Sequence, residues 1–182
     1  MKFHLQNVRL SFPDLHTAKA IDDGEPRYSA AFILPPNHPQ LAELRAAIKQ
    51  AATEKWAARG AAQYAALEAT DKLCLHNGNT KAYDGYEGNF FVSAASPEDK
   101  PPLVLGPDRR PLEKSSGKPY AGCYVNAVIE IWAQDNKFGK RINAALKGVQ
   151  FVRDGDAFSG SPAATVDDFE DISEGATADD LV

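Results

Sequence analysis

Three stretches of this chain interleave cations with aromatic side chains. Residues 106–122 (GPDRRPLEKSSGKPYAG) hold Arg109, Arg110, Lys114 and Lys118 with Tyr120. Residues 134–141 (QDNKFGKR) place Lys137, Lys140 and Arg141 around Phe138. Residues 78–88 (GNTKAYDGYEG) set Tyr83 and Tyr86 beside Lys81 among glycines, with Asp84 and Glu87 in the same stretch. Lys and Arg pair with phosphate, and an exposed aromatic face is a surface on which a nucleobase stacks. A Phe between three cations at a hairpin tip has no obvious packing role, and repeated cation–aromatic pairing suits contact with a single nucleic acid strand. The bland counterparts are solubilising hairpins and tyrosines that fold back onto the body.

Signatures of catalysis are missing. There is no GxSxG elbow, Walker loop or HExxH helix. Cys74 and His76 are two residues apart, but no second pair has zinc spacing, so neither a metal site nor a cofactor is expected. Asp22, Asp23, Asp84 and Glu87 are the acids that a magnesium-dependent nuclease would have to gather, although acids in turns are ordinary turn chemistry. Cys74 and Cys123 read as buried thiols of a reducing compartment. No run of eighteen apolar residues is present and the N-terminus lacks the apolar stretch of a signal peptide, so no membrane partner is expected.

Charge divides the chain. Every acid–base side chain after Arg153 is acidic: Asp154, Asp156, Asp167, Asp168, Glu170, Asp171, Glu174, Asp179 and Asp180. Removing those nine from the chain's 25 acids leaves 16 against 20 bases, so residues 1–153 are net +4, although the whole chain is net −5. A basic body with an acidic tail points towards nucleic acid, against the simpler possibility of a solubilising tail.

The elements that must position these groups are mostly strands. Phe3 and Leu5, then Val8, Leu10 and Phe12, alternate with a change of phase near Gln6-Asn7, which predicts a bulge in the first strand before Pro13-Asp14 ends it. Arg27–Leu34 is the second strand, after a turn at residues 22–26. Leu41, Leu44, Ile48, Ala51 and Trp56 recur near helical spacing, Gly60 reads as the stop, and a shorter helix runs through Tyr64 and Leu67. Further strands are expected at Leu73–His76, Asn89–Ser96, Leu103–Leu105, Tyr124–Ala133 and Ile142–Val152. In Tyr124–Ala133 the odd positions Val125, Ala127, Ile129, Ile131 and Ala133 form an interior face. The even positions, with Tyr124 and Trp132, form either a stacking face or a surface beneath the helical insertion. The expected fold is therefore mainly β: a small antiparallel barrel over residues 1–153 with a helical insertion at about 39–69, then a disordered acidic tail at 154–182.

Five segments carry a resemblance to a known family: NVRLSFPDL, PRYSAAFILP, GYEGNFFVSAAS, AGCYVNAVIEIWAQDN and KGVQFVRDGD, in that order across residues 7–156. Together the chain resembles the phage single-stranded-DNA-binding proteins that pair an oligonucleotide-binding (OB) barrel with an acidic C-terminal tail. The resemblance implies a five-stranded OB core and binding of single-stranded DNA without a base code. It also implies a role in phage replication or recombination in the host cytoplasm, and a tail that competes for the DNA site or recruits replication or recombination proteins. One departure is the ending, Asp179-Asp180-Leu181-Val182, where related tails end in an aromatic tip; Phe169 lies further upstream. Two rivals stay open on the residues alone: a magnesium-dependent nuclease, and a DNA-mimicking interaction module.

Overall fold

The computed structural model describes residues 1–158. Its strands are β1 (Lys2–Lys19), β2 (Arg27–Leu34), β3 (Leu75–Asn77), β4 (Phe90–Pro97), β5 (Leu103–Leu105), β6 (Tyr124–Asn136) and β7 (Gly139–Arg153). Two helices, α1 (Leu41–Trp56) and α2 (Gly60–Ala69), lie between β2 and β3. Five strands form a ring in which β1 pairs with β2 and β6, β2 with β4, and β6 with β7, all antiparallel. The ring closes where β4 and β7 meet in parallel at Ala95 and Ala145. The five-stranded OB-like core expected from sequence is this ring. It is not a regular barrel, and β3 and β5 enlarge the sheet to seven strands, β5 by a parallel pairing with β7.

β1 serves both neighbours through three register irregularities, the last between Asp14 and Lys19 at its end. Its register against β6 shifts between Leu5 and Val8, and against β2 between Ser11 and Asp14. Asn7 and Phe12 adopt φ of 52° and 46° at these points, a conformation uncommon for side-chain-bearing residues and suited to bulges. The first bulge lies where the hydrophobic phase changes. The second was not expected: Pro13 was read as a strand end, but a bulge needs no ladder N–H there, and pairing resumes at Asp14 opposite Ser29.

The interior follows the two-residue period. Val125, Ala127, Ile129 and Ile131 of β6 are buried against Leu5, Val8 and Leu10 of β1 and Ile142, Leu146 and Val149 of β7. α1 adds Leu44, Ile48 and Ala52, all buried in the same core. Trp56 is a core residue, its indole N–H donating to Asp135 Oδ2 at 2.8 Å. Gly60 begins α2 rather than ending the helix before it, because the chain has already reversed at Ala57, whose φ is 49°.

The segment leaving α2 enters the gap between β4 and β7. Ile142 N–H donates to the Lys72 carbonyl at 3.1 Å, and Ser93 N–H donates to the Cys74 carbonyl at 3.0 Å. It thereby satisfies edge groups that the diverging strands cannot give each other. At the other end, residues 154–158 do not leave the body. Tyr120 O–H donates to Asp154 Oδ1 at 2.6 Å and Phe158 N–H donates to the Ala121 carbonyl at 2.9 Å. The body therefore extends past the boundary expected after Arg153; the rest of the acidic tail lies outside the described residues.

Two expected outcomes follow from this packing. Ile129→Ala should lower the unfolding free energy by about 2–5 kcal/mol in urea titrations, whereas a loss below about 1 kcal/mol would contradict an interior position. Desolvation by burial pushes the Cys74 thiol up to about 12. At pH 8 roughly one such thiol in ten thousand is the reactive thiolate. Alkylation of Cys74 should accordingly be slow in the native protein and fast in denaturant; equal rates would show the thiol to be accessible.

Candidate nucleic-acid interface

A cleft of about 660 Å³ runs along the seam between β4 and β7. Its floor is the outward face of β2 and β4, where Ser29 pairs opposite Ala95 and Ala31 opposite Ser93. These small side chains leave a flat surface with room above it. Beside the floor, Cys74 and His76 enter from the segment that fills the seam.

One wall is a connected series of aromatics. His76 stacks on Phe91 with centroids 4.9 Å apart, and Phe91 meets Tyr86 at 4.8 Å. Tyr86 meets Tyr83 at 5.4 Å, and Tyr83 meets Phe12 edge-on at 4.8 Å. His76 is oriented from behind by Asp71, whose Oδ1 lies 2.6 Å from its Nδ1. The bulge at Phe12 makes this wall. It turns Phe12 outward, to 55% exposure, while Ser11 stays buried and accepts a hydrogen bond from the Tyr86 hydroxyl at 3.1 Å. Burial raises the Tyr86 hydroxyl above its ordinary range, so it stays a neutral donor.

The facing wall comes from β6 and β7. Trp132, 45% exposed, stands beside Gln134, Arg141 and Asn143, and the Asn143 amide donates to Gln134 Oε1 at 3.0 Å. Arg27, Lys81 and Arg141 put exposed cations at the margins. Just beyond, the β6–β7 turn carries Phe138, 79% exposed, with Lys137 Nζ 5.0 Å from its centroid. Lys140 points back over Trp56 at 5.9 Å.

Of the residues singled out from sequence, the structure gathers Lys81, Tyr83, Tyr86, Trp132 and Arg141 around one cleft. Of the two readings open for the loop tyrosines, a stacking ring or one folded back onto the body, Tyr86 takes the second. It is 2% exposed and serves as backing for Tyr83, itself 52% exposed. Tyr124 lies elsewhere, beneath the Arg153 guanidinium at 3.6 Å. The even face of β6 is broken between Tyr124 and Trp132 by a contact of Asn126 with Gln150 at 3.4 Å and by an ion pair of Glu130 with Lys147 at 2.9 Å. Lys147 holds the Glu130 carboxyl below its usual range. Nor does the helical insertion cover Trp132.

The 106–122 loop forms a separate surface. Arg110 Nε is 3.6 Å from Asp108, Lys114 reaches Thr17 at 3.4 Å, and Lys118 lies over Phe151 at 4.7 Å. Arg109 sits in a turn with φ of 63°, and Tyr120 is engaged with Asp154. None of these five lines the cleft. Sequence reasoning missed Phe12, Arg27, His76 and Phe91. The available signals were an aromatic directly before Pro13 and the Ser-Ala-Ala runs at 29–31 and 93–95, which are too small to be core on both faces. Among the described residues, no three His, Cys, Asp or Glu side chains gather as metal ligands.

A family model described as the Enterobacter phage Enc34 ssDNA-binding protein matches residues 1–182. Protein p50 of Acyrthosiphon pisum secondary endosymbiont phage 1 is 41% identical over 177 residues, covering 95% of each chain. The single-stranded DNA-binding protein from bacteriophage Enc34, solved in complex with ssDNA, superposes with a TM-score of 0.72 at 27% identity, over 87% of this chain and 89% of that one. The bacteriophage T7 single-stranded DNA-binding protein gp2.5 shares the fold at 11% identity, with a TM-score of 0.58 over 90% and 98% of the two chains. This chain belongs to the Enc34 family of phage single-stranded-DNA-binding proteins.

Proposed function

We propose that this protein binds single-stranded DNA along the seam cleft, without base code, during phage DNA replication or recombination in the host cytoplasm. The observation that carries this reading is the cleft itself, an aromatic wall facing Trp132 with Arg27, Lys81 and Arg141 at its margins. In sequence order, β2 and β4 are the second and third strands of the five-stranded ring, and β6 and β7 the fourth and fifth. The cleft thus lies on the face, and next to the loops, with which OB folds hold oligonucleotides. The Enc34 relative described in complex with ssDNA supports the same assignment.

The chemistry suits any base. Every nucleobase has a π-face, and stacking contributes about 1–3 kcal/mol per base. Phe12, Tyr83 and Trp132 are the exposed aromatics that offer it, and Phe138 is exposed on the turn of the hairpin that carries Trp132. Arg27, Lys81 and Arg141 are placed to meet phosphates, with Lys137 on the adjoining turn, while Lys140 is turned to the other face over Trp56. Arg109, Arg110, Lys114 and Lys118, away from the cleft, supply a longer-range positive field that raises the local concentration of DNA. We assign no catalytic step. Asp22, Asp23, Asp84 and Glu87, which a nuclease would need together, form no cluster with metal-binding geometry.

Residues 159–182 carry seven acids, Asp167, Asp168, Glu170, Asp171, Glu174, Asp179 and Asp180. A tethered polyanion of this kind competes with DNA phosphates at an effective concentration that can reach the millimolar range. The same acids are available to a replication or recombination partner once DNA displaces them.

Three outcomes are expected in titrations with oligo(dT). Tyr83→Ala and Trp132→Ala should each weaken binding by about 1–3 kcal/mol with no change in salt slope, whereas Arg141→Ala should reduce a slope of roughly −3 to −4 by about 0.7. Folded aromatic variants that bind like the parent would show the stacking surface to be elsewhere. Deleting residues 159–182 should tighten binding at low salt and have little effect at high salt, where screening is strong. Unchanged affinity at both would rule out competition by the tail.

A further inference from the structure

The chain after β7 is fastened beside the cleft by an unusual set of contacts. Arg9 donates from Nε to the Gly122 carbonyl at 3.0 Å and from an Nη to the Asp156 carbonyl at 2.7 Å. The same guanidinium lies 4.1 Å from the centre of the Phe158 ring. Gly122, with φ of 102°, has the Asp156 carbonyl where any side chain would project, so residues 155–157 can lie directly on its backbone.

Phe158 then reaches across to the loop that carries Tyr83. Its ring edge is 2.5 Å from the place where a Cβ on Gly85 would stand, so the ring occupies the surface that the glycine leaves bare. It also packs against the small cluster of Ala31, Ile33, Tyr86 and Phe91 behind the aromatic wall. A hollow of about 620 Å³ beside the cleft has Phe12 and Tyr83 on one side and Phe158 and Ala121 on the other. The loop is tied mainly at its two ends, where Lys81 N–H donates to the Gly78 carbonyl at 3.1 Å, Gly88 N–H to Asn79 Oδ1 at 2.7 Å and Asn89 N–H to the Tyr86 carbonyl at 3.0 Å. Tyr86 N–H donates to the Tyr83 carbonyl at 3.2 Å, and the Asn89 amide donates to the Gly85 carbonyl at 2.7 Å. Gly85 and Gly88, both at positive φ, leave its backbone permissive.

We propose that Phe158, held by Arg9, is a positioning residue for single-stranded DNA: it buttresses the 81–88 loop from behind and so fixes Tyr83 against Phe12 at the cleft wall. The role rests on the cleft reading above and differs from that of the acidic tail, because it operates through apolar packing and needs no charge. The root of the C-terminal segment is therefore part of the binding surface, and the acids begin to act only beyond it.

The test uses the full-length chain and oligo(dT) at a low and a high salt concentration. Phe158→Ala should weaken binding about threefold or more, by the same factor at both concentrations, since a stacking contact is lost rather than an ionic one. Added to Tyr83→Ala, it should cost little more, because both act through one ring. Phe158→Leu should recover part of the loss. If Phe158→Ala does not fold, Arg9→Gln is read by the same criteria, with hydrogen exchange of the 81–88 amides expected to rise. Parental affinity, or a loss that adds fully to that of Tyr83→Ala, would overturn the buttress. So would a gain confined to low salt, which would make this segment only a tether for the tail. If the parent itself fails to bind oligo(dT) while folded, the cleft reading falls and the buttress with it.

Discussion

The site depends on two strands that do not stay together. β4 and β7 touch at Ala95 and Ala145 and then diverge, and the ring of strands is complete only because residues 72–74 enter the gap and accept hydrogen bonds from Ser93 and Ile142. A fully closed ring would carry a continuous wall here. An open one without the plug would leave unpaired edges, which invite aggregation. The arrangement found keeps the backbone satisfied while leaving a trough lined by outward-facing side chains. The helical insertion thus has a structural purpose, since the plug is its returning end.

The second requirement is that large aromatics stand in that trough without collapsing into it. Phe12 is held out by a left-handed backbone conformation at a bulge, a local strain of the kind that persists only where neighbours enforce it. Ser11, turned inward by the same irregularity, captures Tyr86, and Tyr86 in turn supports Tyr83. Opposite them, Trp132 keeps its face clear because Ser29, Ala31, Ser93 and Ala95 are small. Aromatic surface lines the trough and positive charge stands at its margins, with Lys81 and Tyr83 carried by one loop.

Much of this was legible in the sequence where the two-residue period operates. The interior face of β6, the first bulge of β1 and the strand-insertion-strand order all follow from local pattern; loop composition singled out Lys81, Tyr83 and Arg141 and strand parity Trp132, four residues that the fold brings to one cleft. What could not be read was anything set by twist or by distant partners. Tyr124 and Trp132 share a parity, but they stand eight residues apart on a twisted strand and face different neighbours. Tyr86 looked like Tyr83 until Ser11, seventy-five residues away, took its hydroxyl. The 106–122 loop has the composition of a binding loop yet lies off the cleft, because its contacts are with Thr17 and Phe151.

The central claim is that single-stranded DNA lies in the seam between β4 and β7. Photo-crosslinking of the full-length protein to an oligonucleotide substituted with 5-bromodeoxyuridine, followed by mass spectrometry of the adducts, addresses it directly. Adducts concentrated on Phe12, Tyr83 and Trp132 are the expected result. Adducts confined to Tyr120, Tyr124 or the rest of the 106–122 loop would place the strand on another face and contradict the account.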